Sequence, residues 1–128
     1  MDLKNLGKIN VLIVEDDSFN VHLISALLKK IADVEITATD DGREALGILE
    51  SRDKAIDIIL LDLHMPKMEG SDILTAIRQQ SKYNTIPIII ISVDGFDEDE
   101  LLKRGADDFV LKPFDIEKFA VVFAKQLN

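Results

Sequence analysis

Val11-Leu12-Ile13-Val14-Glu15-Asp16-Asp17 is the stretch from which the fold can be read. An apolar, strand-length run ends abruptly in acids. The pattern returns at Ile58-Ile59-Leu60-Leu61-Asp62. If the two runs are neighbouring parallel strands, their carboxylates converge at one edge of a sheet. Like charges about 4 Å apart repel by roughly 4 kcal/mol at an effective dielectric near 20. A divalent cation held by oxygen ligands is the natural counterweight. Further along, an isolated lysine, Lys112, stands at another strand end before Pro113. Acids, cation and lysine together imply a site for a transferable phosphoryl group.

Outward from these runs, apolar β-rich segments alternate five times with helical patterns. The strands are expected near 9–14, 34–38, 57–62, 87–92 and 108–111. Leu23, Ile24, Leu27, Leu28 and Ile31 follow helical spacing, as do Ala45, Leu46, Ile48 and Leu49, then Ile73, Leu74 and Ile77. In the last segment Ile116, Phe119, Ala120, Phe123 and Leu127 share a face. Asp17 or Ser18, Asp41 or Asp40, and Asp115 are candidate helix caps, and Gly105 suits a helix end. Runs such as Ile88-Ile89-Ile90-Ile91 are apolar on both faces, the mark of parallel strands covered by helices on both sides. Right-handed crossovers then give a doubly wound α/β sheet. Ligands of such sheets bind beyond the carboxyl ends of the strands, near the switch in strand order. Asp16, Asp62, Ser92 and Lys112 all fall there.

With 128 residues the chain is most simply one domain, large enough for one core. The absence of cysteine excludes disulfides and thiolate metal sites, and fits a reducing compartment. A formal charge of −9 argues against direct nucleic-acid binding, which depends on Lys and Arg neutralising phosphates. Residues 1–8 lack the apolar stretch of a signal peptide. The longest apolar runs are interrupted by Asp57, Asp62 or Pro87, so no membrane insertion is expected. A soluble cytoplasmic protein is the expectation. No output domain is expected within the chain, which ends with its fifth helix.

From about Lys8 to Leu127 the chain resembles the receiver domains of two-component response regulators. The resemblance is carried by Val14-Glu15-Asp16-Asp17, by Asp62-Leu63-His64-Met65-Pro66 with Met68 and Gly70, by Ser92, by Gly105-Ala106-Asp107-Asp108-Phe109, and by Lys112-Pro113-Phe114. Each piece is weak alone; in order and near the family's spacing they are specific. The resemblance implies a flavodoxin-like (βα)5 fold with strand order 2-1-3-4-5, residues 9–128 as the domain, and residues 1–8 as an N-terminal extension. It implies a phosphoryl group passed from a phosphohistidine to Asp62, and a change of conformation that controls a partner. A carboxylate attacking phosphorus forms a mixed anhydride, which suits a reversible signal.

The remaining roles follow from the same resemblance. Glu15 and Asp16 match the acidic pair that holds Mg²⁺ or Mn²⁺, hard cations suited to oxygen ligands. Asp62 and the backbone carbonyl of His64 complete the metal set. The Ser92 hydroxyl would donate to a phosphoryl oxygen, and Lys112 would pair with the same group. Mg²⁺ and Lys112 together balance Glu15, Asp16 and Asp62, so catalysis is positioning and charge stabilisation. Relatives have a cis peptide at the position of Lys112–Pro113. Phe109 takes the aromatic switch position, often Tyr, and without a hydroxyl it can act only by packing. The His64 side chain is expected to flank the phosphoryl pocket and modulate hydrolysis; His22 is assigned no role. The implied partners are a sensor histidine kinase, a histidine phosphotransfer protein, or both, and an unidentified downstream protein. The stretch Ser18-Phe19-Asn20-Val21 is similar to receivers of hybrid kinases and phosphorelays.

There are departures from the family. Val93 follows Ser92 where a small residue is common. The span from Ser92 to Lys112 is slightly short and contains Asp94-Gly95 and the run Asp97-Glu98-Asp99-Glu100, so the fourth helix should be short or displaced. Competing readings fare worse. A phosphorylation-independent adaptor would usually lose one of Glu15, Asp16, Asp62, Ser92 or Lys112. A flavodoxin-like electron carrier needs a phosphate loop after the first strand, where Glu15-Asp16-Asp17-Ser18 would repel the FMN phosphate. A haloacid-dehalogenase-like phosphatase needs a second Asp where His64 stands.

Overall fold

Parallel pairing of five short apolar strands sets the architecture, in the order β2-β1-β3-β4-β5. The computed structural model describes residues 2–51, 55–65, 69–93, 95–113 and 115–127. Pro66, Met68, Asp94 and Phe114 lie outside the described residues. The elements run β1 (Ile9–Val14), α1 (Ser18–Ile31), β2 (Val34–Thr39), α2 (Gly42–Glu50), β3 (Ile58–Asp62), α3 (Gly70–Arg78), β4 (Ile88–Ser92), α4 (Glu98–Arg104), β5 (Asp108–Leu111) and α5 (Ile116–Leu127). Single 3₁₀ turns occupy Lys4–Leu6 and Ser81–Tyr83. This is the doubly wound α/β sheet that the apolar runs imply.

Alternation along the strands divides the core into two halves. Leu12, Val14, Ile59, Leu61, Ile88 and Ile90 join Ala45, Leu49, Ile73, Leu74, Ile77 and Leu101 under α2, α3 and α4. Val11, Ile13, Ile58, Leu60, Ile89 and Ile91 join Ile24, Leu28, Phe119 and Phe123 under α1 and α5. Successive strand residues point to opposite faces, so a strand buried on both sides must be apolar throughout.

The expected caps form. Asp17 Oδ1 accepts from the Phe19 N–H at 2.9 Å, and Asp41 Oδ1 from the Arg43 N–H at 2.8 Å. Asp115 Oδ1 accepts from the N–H groups of Glu117 and Lys118. Gly105 ends α4 at φ +113°, a left-handed conformation that side chains rarely adopt. α4 is only seven residues long. The Lys112–Pro113 bond is cis.

Two apolar stripes are narrower than the periodicity suggests. Leu23 is 38 % exposed and Ile116 57 % exposed, while Ile24, Leu28, Phe119 and Phe123 fill the core beside them. Leu23 is about 100° around α1 from Ile24, which turns it off the buried stripe. Strand limits differ from expectation by single residues. Asp57 precedes β3: its N–H donates to Asn10 O at 2.8 Å and its carboxylate accepts from the Asn10 N–H at 2.7 Å.

Candidate phosphoacceptor and metal site

The strand register brings the chemistry-bearing residues to one edge. Val14 pairs with Leu61, Asp62 with Ile91, and Ser92 with Leu111. Glu15 extends β1 by donating its N–H to Thr39 O at 3.0 Å, and Lys112 extends β5 by donating to Ser92 O at 2.8 Å. Glu15, Asp62, Ser92 and Lys112 therefore stand in a row at the carboxyl ends of β1, β3, β4 and β5. Gly70 closes the loop after β3, its N–H donating to Leu63 O at 2.8 Å. A Cβ at Gly70 would collide with the Asp62 carbonyl oxygen and lie 2.6 Å from Leu63 Cα, so only glycine allows this approach.

Carboxylate oxygens of Glu15, Asp16 and Asp62 lie within 4.8 Å of one another. Glu15 and Asp62 are buried and Asp16 is exposed. Asp17 stays out of the cluster because its carboxylate caps α1. Lys112 Nζ lies 2.8 Å from Glu15 Oε1 and 3.3 Å from Asp62 Oδ2. Asp62 Oδ1 accepts from the His64 N–H at 3.2 Å. One Asp62 oxygen is thus tied to the backbone and the other faces the lysine. Ser92 Oγ and Glu15 Oε2 are buried and have no hydrogen-bond partner among the described residues.

Electrostatics follow from this crowding. Burial, then the Asp62 carboxylate, raises the Glu15 pKa, and Lys112 only partly opposes them. Burial alone would lower the Lys112 pKa, but the hydrogen bond and charge of Glu15, and then those of Asp62, prevail and raise it. The edge holds more negative charge than one lysine compensates. Three oxygen donors, one of them with a buried unpartnered atom, suit a hard divalent cation and offer nothing to a soft one.

His64 lies in the loop beyond β3, and its exposed imidazole is 3.9 Å from Glu69 Oε2. The structure does not bring that side chain into the carboxylate cluster. His22 is exposed on α1. Phe109, half-buried on β5, stacks on Phe96 with centroids 5.4 Å apart. A groove of about 850 Å³ runs past them, lined by Phe96, Phe109, Lys112, Pro113, Lys118 and Val121 among others.

Two polar groups escaped the sequence reading. Asn20 Nδ2 donates to Glu15 Oε1 at 2.9 Å. The motif around Asn20 was visible as a resemblance, but nothing in it indicated a contact with Glu15. Arg78, at the end of α3, bonds to four groups at the opposite edge of the sheet. Its partners are scattered along the chain, so no local pattern marks it.

Comparison with known proteins identifies the fold and the family. The chain is 37 % identical over 105 residues to the two-component response regulator ORR7 of Oryza sativa subsp. japonica, covering 80 % of this chain and 49 % of that protein. It therefore spans about half the length of that relative. The Vibrio cholerae chemotaxis protein CheY4 superposes with a TM-score of 0.81 at 29 % identity, covering 94 % of this chain and 100 % of that one. The receiver domain of the sensor histidine kinase PA1611 from Pseudomonas aeruginosa PAO1, a structure with magnesium coordinated in its active site cleft, gives 0.80 at 26 % identity over 94 % and 98 % of the two chains. The response regulator receiver domain profile matches residues 11–123, and the chain belongs to that family of two-component signalling proteins.

Proposed function

We propose that Asp62 is the phosphoacceptor and that Glu15, Asp16, Asp62 and the His64 carbonyl hold Mg²⁺, with Mn²⁺ able to replace it. The observation that carries this reading is a pair of buried oxygens, Glu15 Oε2 and Ser92 Oγ, that have no partner among the described residues and lie on the edge where Asp62 sits. Unpaired buried polar atoms are costly, and here a ligand's oxygens or cation would satisfy both. Bound Mg²⁺ supplies charge neutralisation for the incoming phosphoryl oxygens. Asp62 Oδ2 attacks phosphorus, and the bond to the donor nitrogen of a phosphohistidine breaks. Asp62 Oδ1 is held by the His64 N–H during this step. Lys112 Nζ, 3.3 Å from Oδ2, turns to the arriving group, and the Ser92 hydroxyl donates to another of its oxygens. Hydrolysis of the acyl phosphate at the same site resets the protein. The chain thus catalyses its own phosphorylation and its slow dephosphorylation.

The partners in this reading are a sensor histidine kinase or histidine phosphotransfer protein upstream and an unidentified protein downstream. The charge of −9 disfavours direct contact with nucleic acid. No helix among the described residues is long and apolar enough to cross a membrane, and a cytoplasmic location fits the absence of cysteine. Residues 9–128 form the receiver, with 1–8 as an extension whose Leu3 packs on the α1–α5 half of the core. Engagement of Ser92 and Lys112 biases the β4–α4 region, where the Phe96–Phe109 stack repacks as the switch.

Treatment with acetyl phosphate and Mg²⁺ should add one phosphoryl group by intact mass. Asp62→Asn should add none. Equal modification of the variant would refute Asp62 as the acceptor.

A further inference from the structure

Asn20 occupies the third position of α1, and its half-buried side chain turns back over the helix start. Its amide donates to Glu15 Oε1 at 2.9 Å, the oxygen that also faces Lys112 Nζ at 2.8 Å. Both donors act on one oxygen, and Oε2, buried, has no partner among the described residues. The two donors differ in what they can do next. Lys112 has a long, flexible stem and lies 3.3 Å from Asp62 Oδ2, so a phosphoryl group on Asp62 would draw it away from Glu15. Asn20 has a short side chain on a helical turn pinned by the Asp17 cap and by the Val21 N–H donating to Asp17 O at 3.1 Å. It cannot follow.

We propose that Asn20 is a positioning residue of the metal site: it holds Glu15 by Oε1 so that Oε2 stays presented to Mg²⁺, and it keeps that hold after Lys112 has moved to the phosphoryl group. The inference rests on the reading of Glu15 as a metal-holding carboxylate. A neutral donor is what the position requires. A cation there would cancel charge the metal needs, and a carboxylate would add to the crowding. Partners that orient a metal ligand typically contribute tenfold or more to affinity. An ordinary polar residue in a first helical turn would contribute to helix stability and leave metal affinity unchanged.

The test is Mg²⁺ titration of the whole chain followed by amide chemical shifts without any phosphodonor, alongside thermal unfolding in EDTA. Asn20→Ala should bind Mg²⁺ about tenfold more weakly and unfold in EDTA near the wild-type temperature. Asn20→Ser, polar but too short to reach Glu15, should lose as much affinity. Glu15→Gln should also weaken binding; in a Glu15→Ala background, which removes the oxygen that Asn20 holds, adding Asn20→Ala should cause no further loss, because Asn20 acts through Glu15. Wild-type affinity in Asn20→Ala and Asn20→Ser, with Glu15→Gln weakened, would overturn the role of Asn20 alone. A further loss in the double variant would overturn the route through Glu15. Wild-type affinity in Glu15→Gln would overturn the metal reading itself.

Discussion

Two cations sit at opposite edges of the same sheet, and they are buried alike. The Lys112 side chain is 18 % exposed and that of Arg78 is 14 % exposed. Their surroundings differ. Arg78 donates to Gly105 O at 2.9 Å, Tyr83 O at 2.7 Å, Ile86 O at 2.8 Å and Asp107 Oδ2 at 2.9 Å. Asp107 Oδ2 in turn accepts from the Ile88 N–H at 2.8 Å. The guanidinium is a planar fork whose bonds lock the end of α3, the entry to β4 and the end of α4 into one arrangement. A Cβ at Gly105 would come within 2.5 Å of Arg78 Cγ, so the approach also depends on that glycine. Lys112 instead faces two carboxylates on an edge where Ser92 Oγ and Glu15 Oε2 lack partners among the described residues. Burial of charge does not by itself mark function. Tyr83 Oη and Asn10 Oδ1 also lack partners among the described residues, so an open buried atom alone marks nothing either; what sets the Lys112 edge apart is that two open oxygens converge there on a cluster of carboxylates.

Breaking the Arg78 cluster should have the larger effect on stability. Arg78→Ala removes the guanidinium's bonds to Asp107 and three carbonyls, leaving the Asp107 charge without its cation, and should cost about 3 kcal/mol. Urea unfolding would measure it. Phosphoryl uptake by the folded fraction should be unchanged, because Arg78 lies at the far edge. A stability loss under about 1 kcal/mol would mean that water replaces the guanidinium without penalty.

The opposite sign is expected at the unsaturated edge. The native pKa of Glu15 is raised above 4.5, its ordinary value, by burial first and then by Asp62. A carboxyl shifted upward contributes stability while it is protonated, below the unfolded value. That contribution is lost as pH rises through the native value. In EDTA the protein should therefore lose stability as pH rises from about 4.5 toward neutrality, and Glu15→Gln should flatten the decline. At pH 7 without metal the variant should be more stable than wild type, on the order of 1 kcal/mol. Urea midpoints across the pH series would show this, and adding Mg²⁺ should restore the wild type far more than the variant. A steeper decline in the variant would reverse the assignment of strain to Glu15.

The smallest effect sharpens the comparison from outside both clusters. His64 and Glu69 form an exposed pair at 3.9 Å, with side chains 62 % and 63 % exposed. His64→Ala should change stability by less than about 0.5 kcal/mol. A larger change in the urea midpoint would show that the loop after β3 depends on that side chain.

The sequence by itself determined the elements and which strand ends carry charge. Apolar runs such as Ile58-Ile59-Leu60-Leu61, short, rich in Ile and ending in a charge, fit strands buried on both faces, and that is what they form. Asp17, Asp41 and Gly105 act within a few residues of their own position, so their roles are written locally. Asp62 and Lys112 fall at strand ends because the runs before them stop there. Only the tertiary structure decided that Lys112 meets Glu15 as well as Asp62, that Phe96 stacks on Phe109, and that Leu23 and Ile116 turn toward solvent. The same holds for Asn20 on Glu15 and Arg78 on Gly105. Periodicity specifies the face on which a side chain lies. Which groups meet across elements depends on strand order, register and helix placement, and those follow from packing the whole chain at once.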